Sequence, residues 1–364
     1  MPNPWTLKLK VGGGDPARRV GGLALGLRLA LDAQRASAKW LVVDGFDAAL
    51  TTALDDPRVT LERIAEAAPD QVCVEVPAHC LMHRQTFGEM ALDQHAPATR
   101  LGVADLPQKS DVVYWFAPIL VIDDAAARNA ERQLFCSLRK REDGWTSRWL
   151  NRYISLAISR HLAKTRLRPN QLSGAILAVG LLGAYLASIG TYTMMLVGAF
   201  LFQMQSVLDG CDGELSRVSH RGSYLGEWID TVGDDITNYS FFVGASLGLS
   251  RSTGSPWFLL VGAVMLVSGV IGSGLEYRYL LSIHSGDLLR YPLSQATTNQ
   301  SGKLGFIAPL FKRDTFVFLT LLAAAANILG AALVAFAIAA VGVLFSVIAT
   351  EIRLARERKA NSGS

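Results

Sequence analysis

The two halves of the chain differ in how their apolar residues are arranged. Residues 1–140 alternate short β-rich runs, such as KWLVVDG and QVCVEVP, with stretches of helical spacing, such as TLERIAEAA. Strand and helix patterns that alternate in this way are typical of α/β layer domains. From Leu172 onward the pattern changes to long apolar runs. The first half is therefore predicted to be an α/β domain, and the second to be helical and embedded in a membrane.

Six apolar segments follow Pro169, with expected limits 172–190, 192–209, 222–249, 256–283, 314–328 and 331–352. A helix needs about 20 residues to cross a bilayer core of ~30 Å, so the fifth segment is short for a span. The pattern predicts an all-α polytopic membrane domain of six transmembrane helices in residues 169–364.

Residues 141–168, between the two halves, have the pattern of an amphipathic interfacial helix. Trp145, Trp149 and Tyr153 are interleaved with Arg148 and Arg152. Such a mixture suits a helix that lies in the headgroup layer of a membrane. We therefore expect three parts: a cytosolic α/β domain at 1–140, an interfacial helix at 141–168 and the membrane domain at 169–364.

The distribution of cations predicts the orientation in the membrane. The turns after the second and fourth segments and the C-terminal tail are rich in Arg and Lys, whereas the opposite turns contain only Arg251. The N-terminal sequence MPNPWTLKLK also lacks the apolar core of a secretory signal. Both termini are expected in the cytosol, with the chain integral to a bacterial or archaeal-type cytoplasmic membrane.

Composition agrees with a partly lipid-embedded chain. Hydrophobic residues make up 50% of it, and the mean hydropathy is +0.27. The net charge of +4 is small and forms no basic arm, so no nucleic-acid partner is expected. The four cysteines form neither a CxxC pair nor a disulfide-like framework, which favours free thiols.

Four aspartates around the turn between the second and third segments are the strongest candidates for chemistry. Asp209 and Asp212 have i,i+3 spacing and Asp230 and Asp234 have i,i+4 spacing, so each pair projects from one helix face. Counted inward from the outer ends, both pairs reach the inner edge of the hydrocarbon layer. Carboxylates gathered there need a solvated cavity, protons or cations. Hard oxygen ligands without nearby histidine favour Mg²⁺ or Mn²⁺.

The same stretch carries a known signature. It reads D-x-x-D-G-x-x-S-R, then eight residues, then G-x-x-x-D-x-x-x-D. This resembles the CDP-alcohol phosphotransferase (CDP-alcohol phosphatidyltransferase) family signature D-x-x-D-G-x-x-A-R-x8-G-x-x-x-D-x-x-x-D, with Ser216 in place of the usual Ala. The resemblance covers about residues 145–355 and includes a P-N-x-x-[ST] start to the first span, at Pro169, Asn170 and Ser173.

The resemblance implies a metal-dependent transfer of a substituted phosphate group from a CDP-alcohol to an acceptor hydroxyl, with release of CMP, in phospholipid or polyol-phosphodiester synthesis. It implies that two Mg²⁺ or Mn²⁺ ions are bound by Asp209, Asp212, Asp230 and Asp234, and that Asp234 acts as the general base. The residues implied to bind the CDP-alcohol are Gly213, Ser216, Arg217, Gly226, Asn170 and Ser173. A homodimer is expected.

Neighbouring residues receive other interpretations. Glu227 and Asp235 lie beside the motif without occupying its positions, so they are expected to be solvated or to support the metal ligands indirectly. His220 is expected to be a solvated loop residue. The basic residues Arg290, Lys303, Lys312 and Arg313 either anchor the chain at the inner leaflet or, with Arg221, bind the phosphate of a polyol-phosphate acceptor.

The N-terminal domain has a resemblance of its own. Residues 20–45 resemble the helix-then-strand part of nucleotidyltransferase domains, which are fused to this membrane domain in inositol-phosphate cytidylyltransferase fusions. The triplet Gly12, Gly13 and Gly14 does not reproduce the phosphate loop of an active nucleotidyltransferase. We therefore expect a degenerate domain with a docking or regulatory role.

Two other functions remain open from the sequence. The chain could be a non-enzymatic cation transporter whose aspartates form an ion path, or a scaffold that binds a CDP-lipid without turnover. The aspartates lie at one depth, which argues against a path, and the intact motif argues against a silent scaffold.

Overall fold

The structure is a computed structural model that describes residues 4–90, 95–96, 98–110, 114–139, 143–298 and 312–362. The chain divides into two compact units. Unit 1 comprises Met1–Arg141, Arg160–Arg166 and Glu214–Arg221; unit 2 comprises Glu142–Ser159, Leu167–Gly213 and Gly222–Ser364. Unit 1 combines strands with helices, whereas unit 2 is helical over its described residues.

Unit 1 is built on a five-stranded parallel sheet. Its strands are β1 (Trp5–Lys10), β4 (Ala38–Asp44), β5 (Glu62–Arg63), β6 (Cys73–Pro77) and β8 (Arg100–Leu101), in the order β5-β4-β1-β6-β8. Two short pairs lie outside this sheet: β2 (Arg19–Val20) with β3 (Leu23–Ala24), and β7 (Cys80–Leu81) with β9 (Ile119–Leu120). In the centre, Leu7 pairs with Leu41 on one side and with Val74 on the other. All three are buried, as expected of strands covered on both faces.

Four helices among the described residues of unit 1 accompany the sheet: α1 (Leu25–Arg35), α2 (Ala48–Leu54), α3 (Thr86–Glu89) and α4 (Asp124–Cys136). Asp47 caps α2 and Asp123 caps α4, each accepting a backbone N–H with its side chain. Residues Leu25 to Ala33 of α1 are all buried. The α/β character predicted for the N-terminal part is therefore confirmed, and the structure adds that its main sheet is parallel.

The strand order changes direction at β1, which has β4 on one side and β6 on the other. Ligands of parallel α/β folds commonly bind at such a switch point, beyond the carboxyl ends of the strands. Here the turn after β1 contains Gly13 and Gly14, and an imagined Cβ on Gly14 would lie 2.7 Å from the ring of His79. His79, which follows β6, is buried. The glycines are thus explained by close packing against an imidazole ring.

The expectation that His220 is solvated is wrong. Its side chain is buried, and Nε2 lies 3.4 Å from Nη1 of Arg28 and 3.7 Å from Oδ1 of Asp32. Burial raises the pKa of Asp32 to about 7. Burial and the neighbouring arginines lower the pKa of His220 to about 2, so this ring is neutral at physiological pH. A sequence pattern of polar loop residues could not reveal this, because both partners are almost 200 residues away along the chain.

Unit 2 contains six helices longer than ten residues among its described residues that follow Pro169. They are α6 (Pro169–Ser188), α7 (Tyr192–Ser219), α8 (Tyr224–Thr253), α9 (Trp257–Ser282), α11 (Arg313–Ala325) and α12 (Leu329–Ser362), with the short α10 (Pro292–Thr298) before α11; the last residues of α7 belong to unit 1. Four of the described helices, α6, α7, α9 and α12, are long and apolar enough to cross a membrane. This supports an integral membrane protein with a helical C-terminal part.

Residues 145–162 are helical, in the region where an amphipathic helix was expected. A π-helical turn, Ser147–Asn151, leads into α5 (Arg152–Leu162). The side chain of Trp149 is 74% exposed and that of Tyr153 is 56% exposed. The residues turned inward are mostly polar, and Arg152 forms two 2.8 Å hydrogen bonds to the carboxylate of Asp143.

Small residues allow the helices of unit 2 to pack at close range. An imagined Cβ on Gly183 of α6 would lie 2.9 Å from the carbonyl oxygen of Gly198 of α7. A Cβ on Gly244 of α8 would clash with the carbonyl oxygen of Ala184 of α6, and one on Gly248 would clash with Ala187. Glycine at such positions lets membrane helices approach until their backbones touch. This packing holds α6, α7 and α8 together near the candidate site.

Candidate active site

The aspartates of the motif converge from two helices. Asp209 and Asp212 lie on α7, and Asp230 and Asp234 lie on α8. One carboxylate oxygen from each of Asp209, Asp212 and Asp230 lies within 4.8 Å of the other two. The helical spacing of the motif therefore does place three of the predicted metal ligands around one point.

Asp234 is linked to this group by Arg313, which the sequence pattern predicted to be a membrane anchor or a ligand of the acceptor phosphate. Nη1 of Arg313, at the start of α11, lies 2.8 Å from Oδ2 of Asp234 and 3.3 Å from Oδ2 of Asp209. The same guanidinium donates from Nη2 to Oε1 of Gln205 at 2.6 Å, and from Nε to Oδ1 of Asn238 at 3.2 Å. Arg313 thus orients one carboxylate of each pair and connects α7, α8 and α11.

The start of α6 contributes polar groups beside the aspartates. Ser173 donates from Oγ to Oδ2 of Asp212 at 2.6 Å. The first turn of α8 is capped by Ser223, whose Oγ accepts the backbone N–H of Gly226 at 3.0 Å. An imagined Cβ on Gly226 would lie 3.4 Å from Oδ1 of Asn170. The predicted donor-binding residues Asn170, Ser173 and Gly226 therefore lie close to the carboxylates or to one another.

The remaining predicted donor-binding residues are on α7. Gly213 directly follows Asp212 and is half-buried. Ser216 and Arg217 are on the last two turns of the same helix, which belong to unit 1. Their part in the site stays a prediction made from the motif.

The carboxylate group fits a divalent cation on two grounds. Carboxylate oxygens of Asp209, Asp212 and Asp230 lie within 4.8 Å of one another, and a divalent cation between them would stabilise like charges held this close. Together with Ser173 and Gln205, the aspartates line a cleft of about 10 Å³. This is close to the roughly 10–15 Å³ that holds one water molecule, so an ion of similar size would fit. The donors are all hard oxygens, as Mg²⁺ and Mn²⁺ prefer.

Sequence reasoning missed the parts of this site that carry no motif. Gln205 lies one turn before Asp209, and Asn238 lies one turn after Asp234, so helical spacing from the motif could have identified both. Arg313 is 104 residues from Asp209, and its position at the start of an apolar segment is also typical of a membrane anchor. The sequence alone therefore does not identify the carboxylates as the partners of Arg313.

Comparisons with known proteins agree with the motif. Three relatives, each named "Bifunctional IPC transferase and DIPP synthase", are similar to part of the chain. The relative from Aquifex aeolicus is 35% identical over 127 residues, 34% of this chain, and that from Archaeoglobus fulgidus is 34% identical over 140 residues, 38% of this chain. The relative from Rubrobacter xylanophilus is 37% identical over 128 residues, again 34% of this chain.

Each of these matches spans only 28% of the relative's own length. The model of the CDP-alcohol phosphatidyltransferase family matches residues 166–348, half of the chain, and these residues include the whole aspartate motif. The chain therefore belongs to the CDP-alcohol phosphatidyltransferase family.

Proposed function

We propose that the chain transfers a phosphoryl-linked alcohol from a CDP-alcohol to an acceptor hydroxyl and releases CMP. The observation that carries this proposal is the convergence of Asp209, Asp212 and Asp230 within 4.8 Å, in a motif whose spacing matches the family signature. The relatives are named as transferases and synthases, which supports a group-transfer reaction.

In the proposed mechanism, Asp209, Asp212, Asp230 and Asp234 would hold two Mg²⁺ or Mn²⁺ ions. When bound, these ions would neutralise the diphosphate of the donor and make CMP a better leaving group. Asp234 acts as general base and accepts the proton of the attacking hydroxyl. The 2.8 Å contact with Arg313 fixes the orientation of this carboxylate, which supports its use as a positioned base.

The donor is proposed to bind beside the aspartates through the CDP portion that all CDP-alcohols share. Asn170 lies beside Gly226 at the start of α8, and Ser173 supports Asp212 from α6. Gly213, Ser216 and Arg217 are proposed to complete the pocket, with Arg217 as the cation for a phosphate or the pyrimidine.

The finer membrane arrangement is also part of the proposal. We propose six transmembrane helices, with α8 and α11 added to the four that qualify by length and composition. The helical stretch at 145–162 is proposed to lie in the membrane interface, since Trp149 and Tyr153 are exposed on it.

Positive-inside counting supports cytosolic termini and a cytosol-facing site in a bacterial or archaeal-type membrane, and a homodimer is proposed as the assembly. The division into parts at residues 1–140, 141–168 and 169–364 is retained as a proposal.

The acceptor is proposed to be a hydroxyl compound, of which a polyol phosphate is one candidate. The basic residues predicted to bind such a phosphate receive less support than expected. Arg313 bonds to carboxylates, and Lys303 lies outside the described residues. Arg290 and Lys312 are the described cations of this stretch that stay candidates for that role.

The competing functions make different predictions in one assay. A transporter or a scaffold would release no CMP, whereas the proposed transferase releases CMP only when a donor, an acceptor and a divalent cation are all present. The stretches 169–208, 236–275 and 315–350 contain no carboxylate that could continue an ion path through the bilayer. Purified full-length chain should be assayed against panels of CDP-alcohols and hydroxyl acceptors; the complete absence of CMP would refute the transferase proposal.

A further inference from the structure

A cavity of about 440 Å³ lies beside α8, next to the cleft of the metal-ligand carboxylates. Its walls come from α8, α9, α11 and α12, all within unit 2, and the described residues leave it open. Sites for small molecules commonly have volumes of roughly 300–1,000 Å³, so this space is large enough to hold a ligand.

The cavity is polar at one end and apolar at the other. Asp235 and Glu276 line one end, where Tyr277 donates a 2.6 Å hydrogen bond to Asp235. At the other end, the rings of Phe242 and Phe336 lie 6.0 Å apart. Between the two ends the lining follows α9 from Met265 to Glu276 and α12 from Phe336 to Val347. At ~1.5 Å per residue, the cavity is about 16 Å long.

One glycine forms an open part of the wall. Gly272 of α9 is buried, yet an imagined Cβ on it would meet no heavy atom within 4 Å. A buried backbone position that faces empty space borders a void. Any side chain placed there would project into the cavity, so Gly272 determines how much of its width a ligand can use.

The polar end connects to the aspartate site through two hydrogen-bonded side chains. Asn238 lines the cavity and accepts the Nε–H of Arg313. Arg313 in turn contacts Asp234, the proposed base. A molecule in the cavity would therefore have its polar end near the group that is proposed to activate the acceptor hydroxyl.

We propose that this cavity binds one apolar chain of the acceptor, and that the acceptor is a neutral alcohol whose hydroxyl-bearing head lies at the Asp235 end. This inference rests on the proposed transferase function and specifies its substrate. With a volume of about 440 Å³ and a length of about 16 Å, the cavity is large enough for one long chain.

The acidic residues at the polar end favour the hydroxyl acceptor over the CDP-linked donor as the occupant of the cavity. In their ionised form Asp235 and Glu276 would repel the diphosphate of a CDP-lipid, whereas a neutral hydroxyl can form hydrogen bonds with them. The phosphodiester of a bulk phospholipid is disfavoured for the same reason. The cavity therefore selects the acceptor and not the donor or the surrounding lipid.

Photolabelling tests the site without requiring turnover. Full-length chain in phosphatidylcholine nanodiscs would be irradiated with a long-chain monoacylglycerol that carries a diazirine on its chain, and the labelled peptides would be mapped by mass spectrometry. We expect labels on the cavity walls of α9 and α12, displaced by unlabelled monoacylglycerol and not by added phosphatidylcholine.

Two glycine variants provide a matched comparison. Gly272→Leu should reduce wall labelling at least about tenfold, since losing the burial of two methylene groups at about 0.8 kcal/mol each corresponds to that factor. Gly274→Leu changes the same residue type on the same helix, but Gly274 is exposed, so labelling should stay within twofold of the original chain.

Equal labelling of both glycine variants, equal displacement by phosphatidylcholine, or labels only outside the cavity would each overturn the proposed site. Parallel CMP-release assays with the monoacylglycerol as acceptor separate this inference from the proposed function. Transfer to glycerol phosphate together with absent wall labelling would leave the transferase intact and reject the chain site. Wall labelling without CMP release from any donor and acceptor pair would keep the chain site and reject the transferase.

Discussion

Asp234 is the residue whose replacement separates base catalysis from metal binding. The change Asp234→Asn keeps the shape of the side chain and one oxygen donor, and it leaves the other three predicted metal ligands, Asp209, Asp212 and Asp230, in place, so folding and metal binding should largely persist. Turnover should fall by about 100-fold or more, the range expected when a positioned base is lost. The measurement is CMP release at saturating donor and acceptor.

A neighbouring carboxylate provides the control for this change. Glu227 is also on α8, but its Oε2 accepts the backbone N–H of Gly286 at 3.2 Å and takes no part in the proposed chemistry. Glu227→Gln keeps an acceptor oxygen and should lower turnover by less than about threefold. Normal turnover in Asp234→Asn would remove Asp234 from the role of base.

Replacement of Arg313 should strengthen the binding of the metal and lower the rate. Arg313→Gln removes a positive charge that lies 2.8 Å from Asp234 and 3.3 Å from Asp209. The remaining carboxylates should then attract a divalent cation more strongly, so the Mg²⁺ concentration for half-maximal activity should fall severalfold. Maximal turnover should fall about tenfold or more, because the base is no longer held in place.

Titration of activity with Mg²⁺ measures both effects in one experiment. Arg353→Gln is the matched control, since Arg353 is an 80% exposed arginine of unit 2 that pairs only with Glu357 among the described residues. A half-maximal Mg²⁺ concentration that stays unchanged in Arg313→Gln would show that the cation and the metal do not share these carboxylates.

At the residue scale, sequence spacing was sufficient to predict that the aspartates of each pair share a helix face. It was insufficient to predict which residues they contact. Each aspartate pair lies within a single helical turn, so periodicity alone gave the shared face. The contacts of Arg313 and His220 join parts of the chain that are 104 and 192 residues apart. Such contacts depend on how helices pack, and no short pattern encodes them.

At the scale of elements, close approach of α6 and α8 places Asn170 and Ser173 beside the aspartate site. The approach depends on Gly244, where any side chain would meet the backbone of Ala184. Gly244→Leu should destabilise the chain by about 1–3 kcal/mol through overpacking and lower the midpoint of thermal unfolding by several degrees. CMP release should be lost with it, because the two helices can no longer present their residues together.

A second glycine variant isolates packing from helix propensity. Gly342 of α12 is exposed and has no heavy atom within 4 Å of an imagined Cβ. Gly342→Leu gains the same helix propensity as Gly244→Leu and should leave the unfolding midpoint unchanged or slightly higher. If both variants unfold at the temperature of the original chain, the glycine contact between α6 and α8 does not control stability.

Helix positions were predictable from apolar runs, and helix ends were less so. The predicted segment 192–209 became α7, which begins at Tyr192 and continues through polar residues to Ser219. The predicted segment 314–328 became α11, which ends at Ala325 and is about 20 Å long at ~1.5 Å per residue. Hydropathy detects where lipid contact begins and ends, whereas a helix ends where its backbone hydrogen bonds end.

At the scale of the whole molecule, activity should depend on a divalent cation. Chelation by EDTA should abolish CMP release, and added Mg²⁺ or Mn²⁺ should restore it, because the carboxylates facing a diphosphate need a cation between them. Ca²⁺ provides a useful comparison, since it prefers longer bonds and more ligands and should restore little activity. Full activity in the chelated protein would contradict the proposed mechanism.

The N-terminal α/β domain is predicted to make no CDP-alcohol itself. The carboxyl end of β1, where a nucleotide would bind in this strand order, has the buried ring of His79 packed against Gly13 and Gly14. The phosphate-binding space between these glycines and β6 is therefore already filled by protein. Full-length chain incubated with CTP, Mg²⁺ and polyol phosphates should release no pyrophosphate, while an active cytidylyltransferase added to the same mixture should release it. Repeating the assay with Asp212→Asn, which removes one of the predicted metal ligands, identifies the source of any signal. Metal-dependent pyrophosphate release that persists in this variant would come from the N-terminal domain and would show that the glycine turn and His79 separate to admit a nucleotide.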